Sequence, residues 1–102
     1  MITVAEISRY WAKVHVRGPH ECWPWNASLN RYGYGQFRYE GTVNTSHRFA
    51  WKVSVGPIPS GMEVDHTCCN TWCQNPGHME LVTKSVNVGR GNRTRRRAAA
   101  AA

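Results

Sequence analysis

Asp65-His66-Thr67-Cys68-Cys69-Asn70-Thr71-Trp72-Cys73-Gln74-Asn75-Pro76-Gly77-His78 is the stretch on which the fold turns, and Asn87 follows it nine residues later. Cys68, Cys73 and His78 repeat as C-x4-C-x4-H, a donor set suited to a soft, tetrahedral metal. Asp65, His66 and Asn87 supply a carboxylate, an imidazole and an amide oxygen, which suit a hard cation and an activated water. A segment that organises both chemistries is read as a catalytic metal site on a zinc-pinned loop rather than as a plain zinc module.

A closed structural zinc site takes four ligands. The loop provides Cys68, Cys73 and His78, and the fourth is Cys22 or Cys69. Cys69 adjoins Cys68, and adjacent residues rarely reach one metal without strain. Cys22 lies far upstream and can fold back, so it is preferred, with Cys69 a thiol outside the Cys3His set. The competing readings are small buried hydrophobes and a pair of disulfides. A histidine in register with the cysteines favours metal over both. A chain of 102 residues builds a modest core and gains from such a staple, since structural zinc contributes folding free energy on the order of 10 kcal/mol.

Of the hard-donor group, His66 is the natural base because its ordinary pKa lies near neutrality. Asp65 and Asn87 are oxygen ligands for a single Mg2+ or Mn2+ that keeps room for water and substrate oxygens. Neighbours on a regular strand face opposite ways. Asp65 and His66 therefore share a site only if the strand ends or bulges there, or if the site straddles its edge. Taken singly, Asp65 reads equally well as a turn former, Asn87 as a helix-surface residue and His66 as a further member of the zinc loop.

Outward from this stretch the pattern is α+β in a single small domain. Val4, Ile7, Trp11 and Val14 recur at helical spacing over 4–14, with Thr3 as N-cap and Glu6 as its capping-box partner. Residues 32–39 read as a strand, Glu40-Gly41 as a turn and 42–45 as the return strand of a hairpin. Ser46 is placed to cap a helix over 47–53, which Gly56-Pro57-Ile58-Pro59 stops. Residues 62–66 form a strand that enters the metal loop, and a last helix is expected over 83–88. The aromatic group Trp23, Trp25, Tyr32, Tyr34 and Phe37 is assigned to the core rather than to base stacking.

The formal net charge is +7, from 13 Lys+Arg against 6 Asp+Glu. A polyanionic partner follows, double-stranded DNA before an acidic membrane. The charge is concentrated at Lys84, Arg90, Arg93, Arg95, Arg96 and Arg97, with no acidic residue between 84 and 97. Such a run binds phosphates without prior folding. No apolar run spans a membrane and no secretory signal opens the chain, so a cytoplasmic location is expected.

His66-x-Cys68-x4-Cys73-x-Asn75-Pro76-x-His78-Met79, with Asn87 nine residues on, resembles the HNH (ββα-metal) endonucleases. The resemblance is strongest to the zinc-containing phage-type HNH proteins and the His-Cys box homing endonucleases. Cys22-Trp23-Pro24-Trp25, Gly33-Tyr34-Gly35, His47-Arg48-Phe49-Ala50-Trp51 and Gly56-Pro57-Ile58-Pro59 extend it over about residues 20–90. Met79 stands where Leu is usual, and His78 where simpler members have an Asn that pins the loop.

The resemblance implies a ββα-metal core with His66 as general base and Asp65 and Asn87 as ligands of one divalent cation. It implies Cys22, Cys68, Cys73 and His78 as zinc ligands, and hydrolysis of DNA to 5′-phosphate and 3′-hydroxyl ends. Arg38 and Arg48 become candidates for the scissile phosphate, and His47 a structural residue behind the site. The domain so defined runs over 20–91, after an N-terminal helical segment 1–19 and before a basic, then Ala-rich tail 92–102 that is expected to be disordered. The alternatives are a zinc-stabilised DNA-binding module without catalysis and a nuclease serving a phage packaging assembly. Target sequence, nicking or double-strand cutting, and monomer or homodimer are left open by the sequence.

Overall fold

The computed structural model describes residues 1–85. Helix α1 spans Val4–Trp11 and opens on the expected capping box. Thr3 Oγ1 accepts from the Glu6 amide at 3.1 Å and Glu6 Oε1 accepts from the Thr3 amide at 2.8 Å. The helix ends before Val14 because the chain there is taken up by pairing. Val14 bridges to Trp25, the His15 amide donates to Pro24 at 2.9 Å and the Asn26 amide to Lys13 at 2.7 Å.

Strands β1 (Gln36–Tyr39) and β2 (Thr42–Thr45) pair antiparallel. Their two-residue turn has both central residues at positive φ, Glu40 at 52° and Gly41 at 78°, the backbone twist that suits a tight hairpin. The strand expected from Tyr32 starts only at Gln36. Asn30 Oδ1 accepts from the Tyr32 and Tyr34 amides at 2.9 and 3.1 Å, which holds 30–34 as a loop.

Helix α2 (Ser46–Ser54) follows β2 directly. Its N-cap is Thr45, without a side-chain capping bond, and not Ser46 as the sequence suggested. Ser46 is fully buried, with its amide donating to Gly35 O at 2.7 Å. Strand β3 (Met62–His66) then pairs antiparallel with β4 (Met79–Thr83) from Met62↔Thr83 to His66↔Met79. No pattern within residues 79–83 announces β4, which pairing to β3 creates. Residues 84 and 85 are helical. The described residues end there, so of the helix expected over 83–88 only 84 and 85 fall within them, and Thr83 belongs to β4.

The core lies where α1, the hairpin and α2 meet, with Tyr10, Trp25, Phe37, Tyr39 and Phe49 packed on Val14, Ala50, Val64 and Met79. Tyr10, Phe37 and Phe49 sit ring to ring at 4.8 to 5.6 Å between centroids, the spacing of favourable edge-on and tilted contacts. Gly35 lets β1 approach α2. A Cβ there would run into Ser46 Oγ and come within 2.7 Å of the Trp25 indole. Gly35→Ala is expected to destabilise the fold by about 1–3 kcal/mol, read by chemical denaturation of metal-loaded protein.

Candidate metal centre and active site

Segment 19–25 runs alongside 72–78, and this brings Cys22 to the loop. The Trp25 amide donates to Trp72 O at 3.2 Å, the Gln74 amide to Trp23 O at 2.8 Å, and Pro24 bridges to Cys73. Asn75 ties down the start of the same segment, donating from Nδ2 to Pro19 O at 3.0 Å and Glu21 O at 2.7 Å. Its Oδ1 accepts from the Gly77 amide at 2.9 Å and caps the short 3-10 turn Pro76–His78. Pro at the first position of that turn has no amide to satisfy.

The ligand atoms of Cys22, Cys68, Cys73 and His78 consequently all lie within 4.8 Å of one another. His78 Nδ1 is 3.5 Å from Cys22 Sγ and 3.6 Å from Cys73 Sγ. Tetrahedral zinc with ordinary bond lengths separates a sulfur and a nitrogen ligand by about 3.6 Å. His78 Nε2 donates to His20 O at 3.1 Å, so Nδ1 carries the lone pair and faces the thiols, the orientation that supporting contacts give a metal-bound histidine. Asn70 Nδ2 donates to Cys22 Sγ at 3.1 Å.

Burial pushes the Cys68 thiol up to about 12 and also raises Cys73, while hydrogen bonds from Asn70 and the other ligands outweigh burial at Cys22 and lower it. A dication is what makes such thiols thiolates at neutral pH. The donor set and its spacing fit zinc. No cysteine is in a disulfide, and Cys69, exposed and at φ 64°, stands outside the cluster. Asn70, Asn75 and the His20 carbonyl are supporting groups that sequence reasoning missed. Asn75 was visible in the motif, but its partners lie more than fifty residues away in sequence.

His66 closes β3 and is 7% exposed. Its Nε2 donates to Cys73 O at 2.9 Å, which leaves the lone pair on Nδ1. Burial holds its pKa below the ordinary value, which favours the neutral ring. The β3–β4 ladder runs without a bulge through Asp65↔Glu80 and His66↔Met79, and β3 then stops. Asp65 and His66 thus occupy opposite faces at the last two positions of the strand, and a site that uses both straddles its end. Asn87 lies outside the described residues, as do Arg90, Arg93, Arg95, Arg96, Arg97 and the tail 92–102.

Arg38 is exposed on β1, with Nη2 donating to Gly41 O at 3.3 Å across the hairpin turn. Arg48, half-buried in the first turn of α2, lines an open cleft of about 370 Å3 together with Asn30, Gln36, Val43, Asn44 and Thr45. Lys84 is exposed at the start of the final helical segment. No helix among the described residues is long and apolar enough to cross a membrane.

Residues 45–88 match the family described as HNH endonuclease. The matched segment runs from the N-cap of α2 through the metal loop and β4. The chain is also similar to Protein 7.7 of Escherichia phage T7, with 36% identity over 67 residues, 66% of this chain and 52% of the relative. It is 38% identical over 50 residues to the Uncharacterized gene 5.3 protein of Enterobacteria phage T3, covering 49% and 50% of the two chains. With Protein 2.8 of phage T7 it shares 35% over 68 residues, 65% of this chain and 45% of the relative. The chain thus spans about half the length of these curated relatives. No solved structure matches it.

Metal analysis of the purified protein is expected to find one zinc per chain. Cys22→Ala and Cys73→Ala should each abolish zinc retention and cooperative unfolding, because a contribution on the order of 10 kcal/mol exceeds what a domain of this size can lose. Cys69→Ala should leave zinc content and melting temperature unchanged.

Proposed function

We propose that the protein is a metal-dependent DNA endonuclease of the zinc-containing, phage-type HNH kind. The observation that carries this reading is His66 at the end of β3, its Nε2 proton committed to Cys73 O and its Nδ1 left with the lone pair, one strand position after Asp65. A neutral imidazole with a fixed tautomer is what a general base acting on water needs. Such a base, set on a zinc-pinned loop within an HNH segment, is supported more directly than a binding role alone, which requires none of Asp65, His66 and Asn87.

In this mechanism Nδ1 of His66 takes the proton of a water that attacks the scissile phosphorus in line. Asp65 and Asn87 would hold a Mg2+ or Mn2+ ion, whose charge would offset the negative charge building on the leaving 3′ oxygen and the phosphate, and the leaving oxygen takes its proton from solvent. The products are a 5′-phosphate and a 3′-hydroxyl. The zinc tetrad takes no part in the chemistry and holds the loop. Arg48 and Arg38 face the DNA backbone from α2 and the hairpin, and Lys84 with Arg90, Arg93, Arg95, Arg96 and Arg97 adds affinity that does not depend on sequence. The net charge of +7 supports this assignment. The phage origin of the relatives supports action in the cytoplasm of an infected cell.

Supercoiled plasmid incubated with zinc-loaded protein is expected to be relaxed or linearised when Mg2+ is added and left intact without it. His66→Ala should lower the rate by about 100- to 10,000-fold while retaining zinc and DNA affinity. Intact plasmid with folded, zinc-loaded wild type would instead identify a zinc-stabilised DNA-binding module.

A further inference from the structure

We propose that His47 is a positioning residue for His66, holding the imidazole of the general base through a ring contact and a grip on the strand that carries it. The proposal rests on the nuclease reading above for its catalytic consequence and on geometry for its structural one. His47 is the second residue of α2 and is 5% exposed. Its ring lies 4.5 Å from the His66 ring at an interplanar angle of 45°. Its Nε2 donates to Val64 O at 3.1 Å, two residues before His66 on β3. Tyr34 covers both rings, at 5.3 Å from His47 and 6.0 Å from His66.

His66 is therefore fixed through two independent contacts. The zinc loop takes its Nε2 proton through Cys73 O, and α2 presents a ring to its face while gripping the strand that carries it. Among the described residues β3 has a strand neighbour on one side only, in a two-stranded sheet, and the His47 donor supplies a contact that a further strand would otherwise provide.

Stability alone does not account for an imidazole at this position. Thr45 Oγ1, Ser46 Oγ and His47 Nδ1, all at the start of α2, are buried among the described residues without a hydrogen-bond partner. Unpartnered buried polar atoms are destabilising and uncommon, and each calls for an explanation. A phenyl ring at 47 would fill the same space and remove one of these orphans. What it would lose is the donor to Val64 O. Burial, reinforced by the neighbouring His66, also pushes His47 down to about 3, so the ring stays uncharged and places no cation against the base.

The test compares His47→Phe, which keeps volume but has no donor, with His47→Gln, which keeps a donor but has no ring. Both are measured as zinc-loaded proteins whose melting is checked. His47→Phe is expected to lower kcat on plasmid by about ten- to a hundred-fold with KM and DNA affinity in the absence of Mg2+ unchanged, and His47→Gln to recover part of that loss. Nitrogen NMR of His66 should show the Nε2-protonated tautomer in wild type and a mixture of tautomers in His47→Phe. Full kcat and an unaltered His66 tautomer in a folded His47→Phe protein would overturn the proposal and leave His47 a packing residue. If His47→Phe does not fold, a His47→Gln protein with a mixed His66 tautomer and wild-type KM supports it, and one with wild-type tautomer and kcat overturns the role of the ring. A wild type without cleavage refutes the nuclease reading, and the His66 tautomer then decides the positioning role by itself.

Discussion

Convergence of Cys22, Cys68, Cys73 and His78 is the constraint from which the rest of the structure follows. Cys22 lies more than forty residues before the other three, yet all four ligand atoms lie within 4.8 Å of one another. Bringing them together forces segment 19–25 against 72–78 and fixes where β3 ends and β4 begins. Cys73 is the pivotal residue. Its thiol belongs to the tetrad, and its carbonyl accepts the Nε2 proton of His66 at 2.9 Å. Whatever orders the tetrad therefore orders the tautomer of the proposed base, through one residue's side chain and main chain.

The aromatic core reinforces the same loop from its other side. Tyr10 and Gln74 are both fully buried, and the Tyr10 hydroxyl donates to Gln74 Oε1 at 2.7 Å. A buried polar pair of this kind is costly to break because each partner would be left unsatisfied. It joins α1 to the residue next to Cys73, so the N-terminal helix is coupled to the metal loop through a hydrogen bond as well as through ring packing. In a chain this short, metal and aromatic core act on the same dozen residues rather than on separate layers.

Most of the local structure was legible because it follows from nearby residues. Thr3 and Glu6 announce the capping box, Glu40-Gly41 the tight turn, and Cys68, Cys73 and His78 the metal loop. What escaped depends on partners distant in sequence. β4 exists because β3 lies beside it, and its sequence, Met-Glu-Leu-Val-Thr, differs little from the first turn of a helix. The strand expected from Tyr32 was shortened by the Asn30 side chain, which satisfies two amides that a strand would have offered to a neighbour. Ser46 looked like a cap, but its amide was already required by Gly35 O across the hairpin. The choice of Cys22 over Cys69 was legible from the strain of adjacent ligands. The supporting role of Asn75 was not, since only the folded chain brings Pro19 and Glu21 within its reach.

If the proposed nuclease binds a catalytic cation as well as zinc, the division of donors along the loop would let one short segment serve both metals without confusing them. Residues through His66 belong to a strand and carry carboxylate and imidazole. Residues from Cys68 onward belong to the loop and carry thiolates, with His78 turned toward them by His20 O. Thiolates select zinc and hard oxygens select magnesium or manganese, so in the proposed nuclease softness would sort the ions, with the end of β3 lying between the two donor sets. His66 stands at that boundary. It is two residues from Cys68 of the zinc-fitting tetrad, but its Nε2 is occupied by a carbonyl and its ring is packed against His47. A histidine so close to the thiolates would otherwise be free to swing toward zinc. The contacts that orient it as a base are the same ones that keep it from becoming a ligand.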